Sequence, residues 1–216
     1  TEQLTDEKLA WASSINPSFT VAIGLEAYDD EVLRFHVNKG FSVASWDRAV
    51  ERLEKYNLRI KTYLMFKPPL MSEADALDHC VKWIEAVAEK SDEISINPMN
   101  IQRGTVIDRL HRHQEYRPPW LWSLVELIQK SHHIVHPKGG MNGDEDQISR
   151  LIIHPTAGGK IRGSHNCGEC DAEVVAAIER YAVSGSLEEF TGIDCDCKSL
   201  WRKELENDRA IPVPLG

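Results

Sequence analysis

Hydrophobic positions in the first hundred residues alternate between continuous apolar runs and stripes at helical spacing. The runs at 21–25, 58–66 and 94–96 are typical of strands buried on both faces of a parallel sheet. The stripes at 43–53 and 77–87 predict amphipathic helices between these strands. This alternation, with a period of about 35 residues, indicates βα units joined by right-handed crossovers.

Polar residues mark the ends of the predicted elements. Ser42 and Ser72 precede the two helices and are typical N-cap residues. The three strands lead into Glu26, into residues 63–67 and into residues 97–102. Because ligands of open parallel sheets bind at the carboxyl ends of the strands, these three ends form the first candidate binding region.

The second half of the chain has a mainly helical pattern. Helices are predicted at 105–112, at 120–130 and from Asp171, which is expected to be an N-cap residue. Two glycine-containing segments predict loops, one at 137–147 and a basic one at 158–163, Gly-Gly-Lys-Ile-Arg-Gly.

Composition is that of a soluble globular protein, with 216 residues of which 42% are hydrophobic and 27% charged. The sequence contains no apolar run long enough to span a bilayer and no visible secretory signal. The formal net charge of −9 argues against general nucleic-acid binding. Residues 101–170 are the exception, since they carry nine basic and seven acidic residues and seven of the nine histidines.

Four of the five cysteines form two close pairs, a CxxC and a CxC. The low total number of cysteines predicts a reducing compartment such as the cytoplasm. The paired cysteines are Cys167, Cys170, Cys195 and Cys197. Two such turns can close a four-thiolate shell around one tetrahedral zinc ion. An auxiliary iron–sulfur cluster, a disulfide framework and unmetallated thiol pairs that never meet remain alternatives, and His165 is an alternative ligand.

Six stretches resemble the later part of a radical S-adenosylmethionine (SAM) core domain, and more narrowly the radical SAM proteins of archaeosine biosynthesis in archaeal tRNA. These stretches are 23–26, 37–41, 63–69, 97–105, 116–123 and 162–167. The first two are specific only to the superfamily, and the remaining four are more specific. Together they are spread over most of the chain.

The resemblance implies an α/β fold, the second half of a partial (β/α)6 barrel followed by a mainly helical, metal-stapled extension. Residues 1–105 would be the half-barrel and residues 106–216 the extension. Radical SAM enzymes hold their catalytic 4Fe-4S cluster through CxxxCxxC in the first βα loop, and this chain contains no such triplet. We therefore expect the chain to be a C-terminal part that is inactive in radical chemistry on its own.

The resemblance also implies a SAM site at the strand ends. The implied contacts are Glu26, Lys39, Tyr63, Asn97 and Met99. The alternative for Glu26 and Lys39 is a surface ion pair worth at most about 1 kcal/mol, and Tyr63 fits a core position equally well.

Basic residues of the middle segment are candidates for contacts with tRNA phosphates, although for any single one a solvated surface position is the alternative. The candidates are Arg103, Arg109, Arg112, Arg117, Lys160 and Arg162. Trp120 and Trp122 are candidates for stacking on bases, with a place in the core as the alternative.

By this resemblance the activity is tRNA modification, in which a radical derived from SAM abstracts hydrogen from a lysine-bearing base. The implied partners are tRNA and the archaeosine synthase subunit, with no membrane. Two further functions remain possible from the residues: that of a different radical SAM tRNA-modifying enzyme, such as a relative of the Elongator catalytic subunit, and that of a non-enzymatic zinc-stapled RNA-binding module.

Overall fold

The computed structural model describes residues 4–16, 18–136 and 150–210. The helices and strands are α1 (Asp6–Ile15), β1 (Thr20–Glu26), α2 (Val43–Lys55), β2 (Arg59–Phe66), α3 (Glu73–Ala88), β3 (Glu93–Pro98), α4 (Val106–Arg112), α5 (Leu121–Val135), β4 (Arg150–Ile153), α6 (Asp171–Ser184) and α7 (Lys198–Ala210). A π-helical turn at Val32–Val37 and a 3₁₀ turn at Leu187–Phe190 complete them. The predicted loop at 137–147 lies outside the described residues.

The four strands form one parallel sheet in the order β1-β2-β3-β4. Its register places Gly24 beside Tyr63, and Tyr63 beside Ser95. The three strands predicted from apolar runs are confirmed. The fourth, β4, was not predicted, because four residues give too short a pattern to separate a strand from a loop.

The predicted helix caps at Ser42 and Ser72 are confirmed. The Ser42 hydroxyl accepts a hydrogen bond from the backbone N–H of Ser45 at 3.3 Å. The Ser72 hydroxyl accepts one from the N–H of Asp75 at 3.1 Å. These caps satisfy N–H groups that have no partner within the helix, and so fix where α2 and α3 begin.

Three helical details differ from the prediction. The N-cap residue of α6 is Cys170, and Asp171 is the first residue of the helix. The helix predicted at 120–130 continues to Val135. Helices α1 and α7 were not predicted, and in α7 only Trp201 and Leu205 are buried, which leaves a weak amphipathic signal.

The sheet has one face packed against helices and one partly open face. In β2, buried residues alternate with the half-buried residues Lys61, Tyr63 and Met65. These three side chains therefore share the open face of the sheet. The main core includes residues on both sides of the predicted boundary at 105, and β4 extends the sheet from the second half. None of the described helices is long and apolar enough to cross a membrane.

Candidate metal centre and strand-end site

The four paired cysteines converge on one point. The Sγ–Sγ distance is 3.7 Å between Cys167 and Cys195, 3.7 Å between Cys170 and Cys197, and 4.0 Å between Cys167 and Cys170. All four sulfur atoms lie within 4.8 Å of one another, an arrangement that can hold a metal ion. The convergence of all four thiols that a single zinc ion requires is therefore present, and the alternative of two thiol pairs that never meet is excluded.

A disulfide framework and a histidine ligand are also excluded by geometry. All five cysteines have free thiols, and the shortest distances of 3.7 Å far exceed the disulfide bond of about 2.05 Å. His165 is not among the residues whose ligand atoms converge with the four sulfur atoms, and its Nδ1 lies 2.8 Å from the carbonyl oxygen of Gly163.

Local structure brings the CxxC turn into place. Gly168 has a φ of +98°, a backbone conformation that favours glycine. The Asp171 carboxylate accepts hydrogen bonds from the N–H groups of Asn166 at 3.0 Å and Gly168 at 3.1 Å, which closes the turn. Cys170 then lies directly before α6 and Cys197 directly before α7, so the cluster joins the N-terminal ends of two helices.

Neighbouring groups donate hydrogen bonds to the buried sulfur atoms. The Asn166 amide lies 3.3 Å from Cys170 Sγ, and the Trp122 indole N–H lies 3.3 Å from Cys197 Sγ. Burial raises the thiol pKa of Cys170 and of Cys197. Backbone N–H groups, that of Cys170 first, lower the pKa of Cys167 to about 7. A bound cation would favour the thiolate form of all four cysteines, and its binding would release protons.

Helix α7 ties the cysteine cluster to the body of the protein. The Trp201 indole N–H donates to the Ser123 hydroxyl at 2.8 Å in the core. The Trp120 indole N–H donates to Glu204 at 2.7 Å. The backbone N–H of Ala74 in α3 donates to the Asp208 carboxylate at 3.1 Å. The position of α7 therefore depends both on this packing and on the cysteine cluster at its start.

At the end of β1, Glu26 and Lys39 form an ion pair with an Nζ–Oε1 distance of 3.0 Å. Both side chains are half-buried. A β-bulge follows Gly24, and Glu26 has a φ of +75°. A Cβ atom on Gly24 would lie 2.8 Å from Glu26 Oε1, so glycine leaves the space into which the carboxylate folds. The ion pair that the sequence analysis gave as the alternative for these two residues is present, and it lies at the carboxyl end of the sheet.

The remaining residues assigned to the strand ends have different surroundings. Tyr63 and Asn97 lie on the open face of the sheet, and Asn97 is exposed. Met99 packs against a small separate cluster that includes Ile101 and Tyr116, so its side chain has a packing role. Met65 also shares the open face and was not predicted there, although the two-residue periodicity of β2 identifies it.

A buried ion pair just beyond β2 was not predicted. Lys67 Nζ lies 2.6 Å from Glu73 Oε2, and the two side chains are 6% and 0% exposed. The second carboxylate oxygen of Glu73 accepts a hydrogen bond from the backbone N–H of Trp120 at 2.9 Å. The Tyr116 hydroxyl donates to the carbonyl oxygen of Lys67 at 2.7 Å. This network joins the end of β2 to the starts of α3 and α5.

The six basic candidates divide into two groups. Arg103, Arg109 and Lys160 are exposed, and so is Arg112, although Arg112 also pairs with Asp108 at 2.8 Å. The remaining two, Arg117 and Arg162, are engaged inside the protein.

Arg117 and Arg162 use their guanidinium groups for internal contacts. Arg117 stacks on the Trp120 ring at 3.8 Å and donates to the carbonyl oxygen of His165 at 2.7 Å. Arg162 donates to Asp108 at 2.6 Å. Trp120 and Trp122 are both buried, so their predicted stacking on bases is wrong and both belong to the core.

Asp108 is a buried carboxylate with three donors. The backbone N–H of Gly104 at 3.0 Å, followed by the guanidinium groups of Arg162 and Arg112, lowers its pKa to about 2. The folded state therefore binds this proton more weakly than the unfolded state, whose aspartate pKa is about 3.9. Its contribution to stability is present above that value and is lost as the pH falls toward about 2.

We therefore expect Asp108→Asn to be less stable than the unaltered protein at pH 7, with a difference that shrinks steadily between about pH 5 and pH 2. Urea unfolding midpoints measured across this range test the expectation. A difference that stays constant with pH would show that the charge of Asp108 does not stabilise the fold.

The fold and the site define a parallel α/β protein with polar strand ends and, at the start of two helices, a cluster of four cysteines that could hold a metal ion. No protein-family model matches the chain. It is 35% identical over 205 residues to archaeosine synthase subunit beta of Methanosarcina acetivorans, covering 94% of this chain and 56% of the relative. It is 34% identical over 190 residues to the protein of the same name from Thermococcus kodakarensis, covering 88% and 55%.

The chain thus spans about half the length of the curated relatives it matches. Among solved structures, Elp3 from Methanocaldococcus infernus, lacking its N-terminal residues 1–46, matches with a TM-score of 0.57 and 15% sequence identity. That match covers 88% of this chain and 40% of the Elp3 chain. At this identity the match supports the fold alone.

Proposed function

We propose that this chain is the C-terminal part of a radical SAM enzyme that modifies tRNA in the formation of archaeosine. The observation that carries the proposal is its 35% identity, over nearly its whole length, to a protein named archaeosine synthase subunit beta. The strand-end motifs that resemble radical SAM proteins support it, and so does the parallel sheet. The name of the relatives also favours an archaeosine synthase subunit as a partner.

In this proposal the strand ends bind and orient SAM. Glu26, held by Lys39, offers a carboxylate for the ribose or the amino group, and Lys39 offers a cation for the SAM carboxylate. Tyr63 and Asn97 flank the same edge from the open face. Met99, whose side chain packs against the cluster that includes Ile101 and Tyr116, would also contribute to the SAM site. A 4Fe-4S cluster, whose cysteine ligands are not in this chain, would supply the electron that cleaves SAM to a radical.

We further propose that the four-cysteine centre holds a structural zinc ion. With Zn–S bonds of about 2.3 Å, the edge of a tetrahedron of sulfur atoms is about 3.8 Å. The Sγ–Sγ distances of 3.7, 3.7 and 4.0 Å support a single ion with four thiolates. A 4Fe-4S cluster places its four thiolates on four different irons, and a 2Fe-2S cluster places them in pairs on two irons, so both separate the thiolates more widely than four sulfur atoms within 4.8 Å of one another. Elemental analysis is expected to give one zinc per chain, and stoichiometric iron would contradict the assignment.

A chimera tests the radical SAM proposal. This chain would replace the matching part of the Methanosarcina acetivorans relative, with Glu26→Ala as the variant. We expect the unaltered chimera to form 5′-deoxyadenosine from SAM, and to form archaeosine in tRNA. The variant is expected to lose about 1–3 kcal/mol of SAM binding free energy, because a hydrogen bond to a charged group is removed.

The matched control for the chimera is Arg48→Ala on α2, an exposed residue away from the strand ends whose loss is expected to leave SAM binding unchanged. Equal SAM affinity for the unaltered chimera and the Glu26→Ala chimera would exclude Glu26 from the site. A folded, metal-loaded chimera that binds tRNA but forms neither product would favour the RNA-binding module.

A further inference from the structure

One face of the second half of the chain is strongly basic. It is made by the segment 101–112 and by the tip of the loop at 158–163, and we call it the basic face. In residues 101–114 and 155–165 the sequence has five basic side chains and a single acid, Asp108, although the whole chain has a net charge of −9. The positive charge is thus concentrated on two segments that the fold brings together.

The outer side chains of the basic face are free to contact a partner. Arg103, Arg109 and Lys160 are exposed and form no ion pair within the described part of the chain. Two aliphatic side chains lie among them, with Val106 63% exposed and Ile161 71% exposed. Val106 and Ile161 therefore add apolar surface beside the exposed cations of the basic face.

The tip of the loop is held in a fixed shape by its glycines. A Cβ atom on Gly163 would lie 2.2 Å from the carbonyl oxygen of Ala157, so any other residue would open the turn. The backbone N–H of Gly159, which has a φ of +71°, donates to the carbonyl oxygen of Ser164 at 2.8 Å. Lys160 and Ile161 therefore project from a closed turn.

Arg162 and Asp108 join this loop to α4. The Arg162 guanidinium donates to Asp108 Oδ1 at 2.6 Å and to the carbonyl oxygen of Ile101 at 3.1 Å. The backbone N–H of Ile101 returns a hydrogen bond to the carbonyl oxygen of Arg162 at 2.8 Å. Because these contacts cross between the two segments, the spacing of the exposed cations is set before any partner binds.

We propose that the basic face binds the sugar–phosphate backbone of RNA, a proposal that rests on the tRNA-modifying function above. Arg103, Arg109 and Lys160 contact phosphates, and Ile161 packs against a ribose or a base. Arg162 and Asp108 are positioning residues. A polyanion fits this face better than a protein partner does, because protein interfaces usually present charges of both signs, and no free acid lies within these two segments.

The test measures binding of an unmodified tRNA transcript to the chain as a function of salt concentration. The triple variant R103Q/R109Q/K160Q is expected to bind about tenfold or more weakly at low salt. The slope of log K against log salt concentration is expected to become shallower by about 2–3, because three phosphate contacts no longer release counterions.

The control variant removes the same charge from exposed positions on α3 and α7. It is K82Q/R202Q/K203Q. Its tRNA affinity and salt slope are expected to match those of the unaltered chain. Equal weakening by both triple variants would show a non-specific charge effect and overturn the proposal.

Ile161→Ser separates the apolar contact from the charges. Its affinity is expected to fall by the same factor at every salt concentration, because an apolar contact releases no phosphate counterions. Tight tRNA binding that survives R103Q/R109Q/K160Q unchanged would remove the basic face from the interface and leave the proposed function intact. Failure of the unaltered chain to bind tRNA at all would contradict the basic face, whereas the tRNA substrate is tested separately by product formation in the chimera.

Discussion

Replacing Cys195 with serine is expected to abolish binding of the proposed zinc ion and to disorder α6 and α7, while β1, β2 and β3 stay folded. Binding of structural zinc contributes about 10–16 kcal/mol in small zinc-binding peptides, so losing one thiolate removes a large part of the stability of this segment. Hydrogen exchange measured along the chain is expected to show lost protection in residues 165–210 and retained protection in 20–98.

Cys80→Ala is the matched control, since Cys80 is a buried thiol of α3 outside the cluster. It is expected to keep full metal content and the exchange protection of α6 and α7. Helix α7 has its own packing through Trp201 and Leu205, so retained protection of α7 in the Cys195→Ser variant would show that packing alone holds it.

Replacing Lys67 with methionine is expected to lower the free energy of unfolding by about 3–5 kcal/mol, because it leaves the Glu73 carboxylate buried without its cation. Chemical denaturation at pH 7 measures the change. The double variant Lys67→Met/Glu73→Gln is expected to be more stable than Lys67→Met. In that variant the buried pair is neutral, and the Gln oxygen still accepts the hydrogen bond from the Trp120 N–H.

An exposed pair provides the comparison. Arg52 and Asp6 lie 2.8 Å apart with 43% and 61% of their side chains exposed, and Arg52→Met is expected to cost less than about 1 kcal/mol. If Lys67→Met costs no more than Arg52→Met, the buried network does not hold the end of β2 in place.

The local part of this fold was predictable, because the signals lie close together in sequence. Ser42 and Ser72 were identified as caps from the residues that follow them, and the apolar runs identified three strands. The cysteine centre was predictable for the same reason, since a CxxC and a CxC each place two thiols in one turn.

The features that could not be predicted from the sequence depend on contacts between distant segments. Arg162 was predicted to contact phosphate, but its partner Asp108 is 54 residues away and no local pattern indicates the pair. The burial of Trp120 depends likewise on Glu204 in α7, a helix whose own signal is weak. The Lys67–Glu73 pair spans a turn with no helical or strand periodicity.

The φ of +75° at Glu26 has a thermodynamic consequence for the whole protein. A residue other than glycine held in the left-handed region costs on the order of 1–3 kcal/mol, so glycine at this position would give a more stable chain. In the proposed SAM site, this strain would be the cost of placing the Glu26 carboxylate. The end of β1 would then be a place where stability and activity oppose each other, and selection for thermal stability alone would be expected to remove the carboxylate.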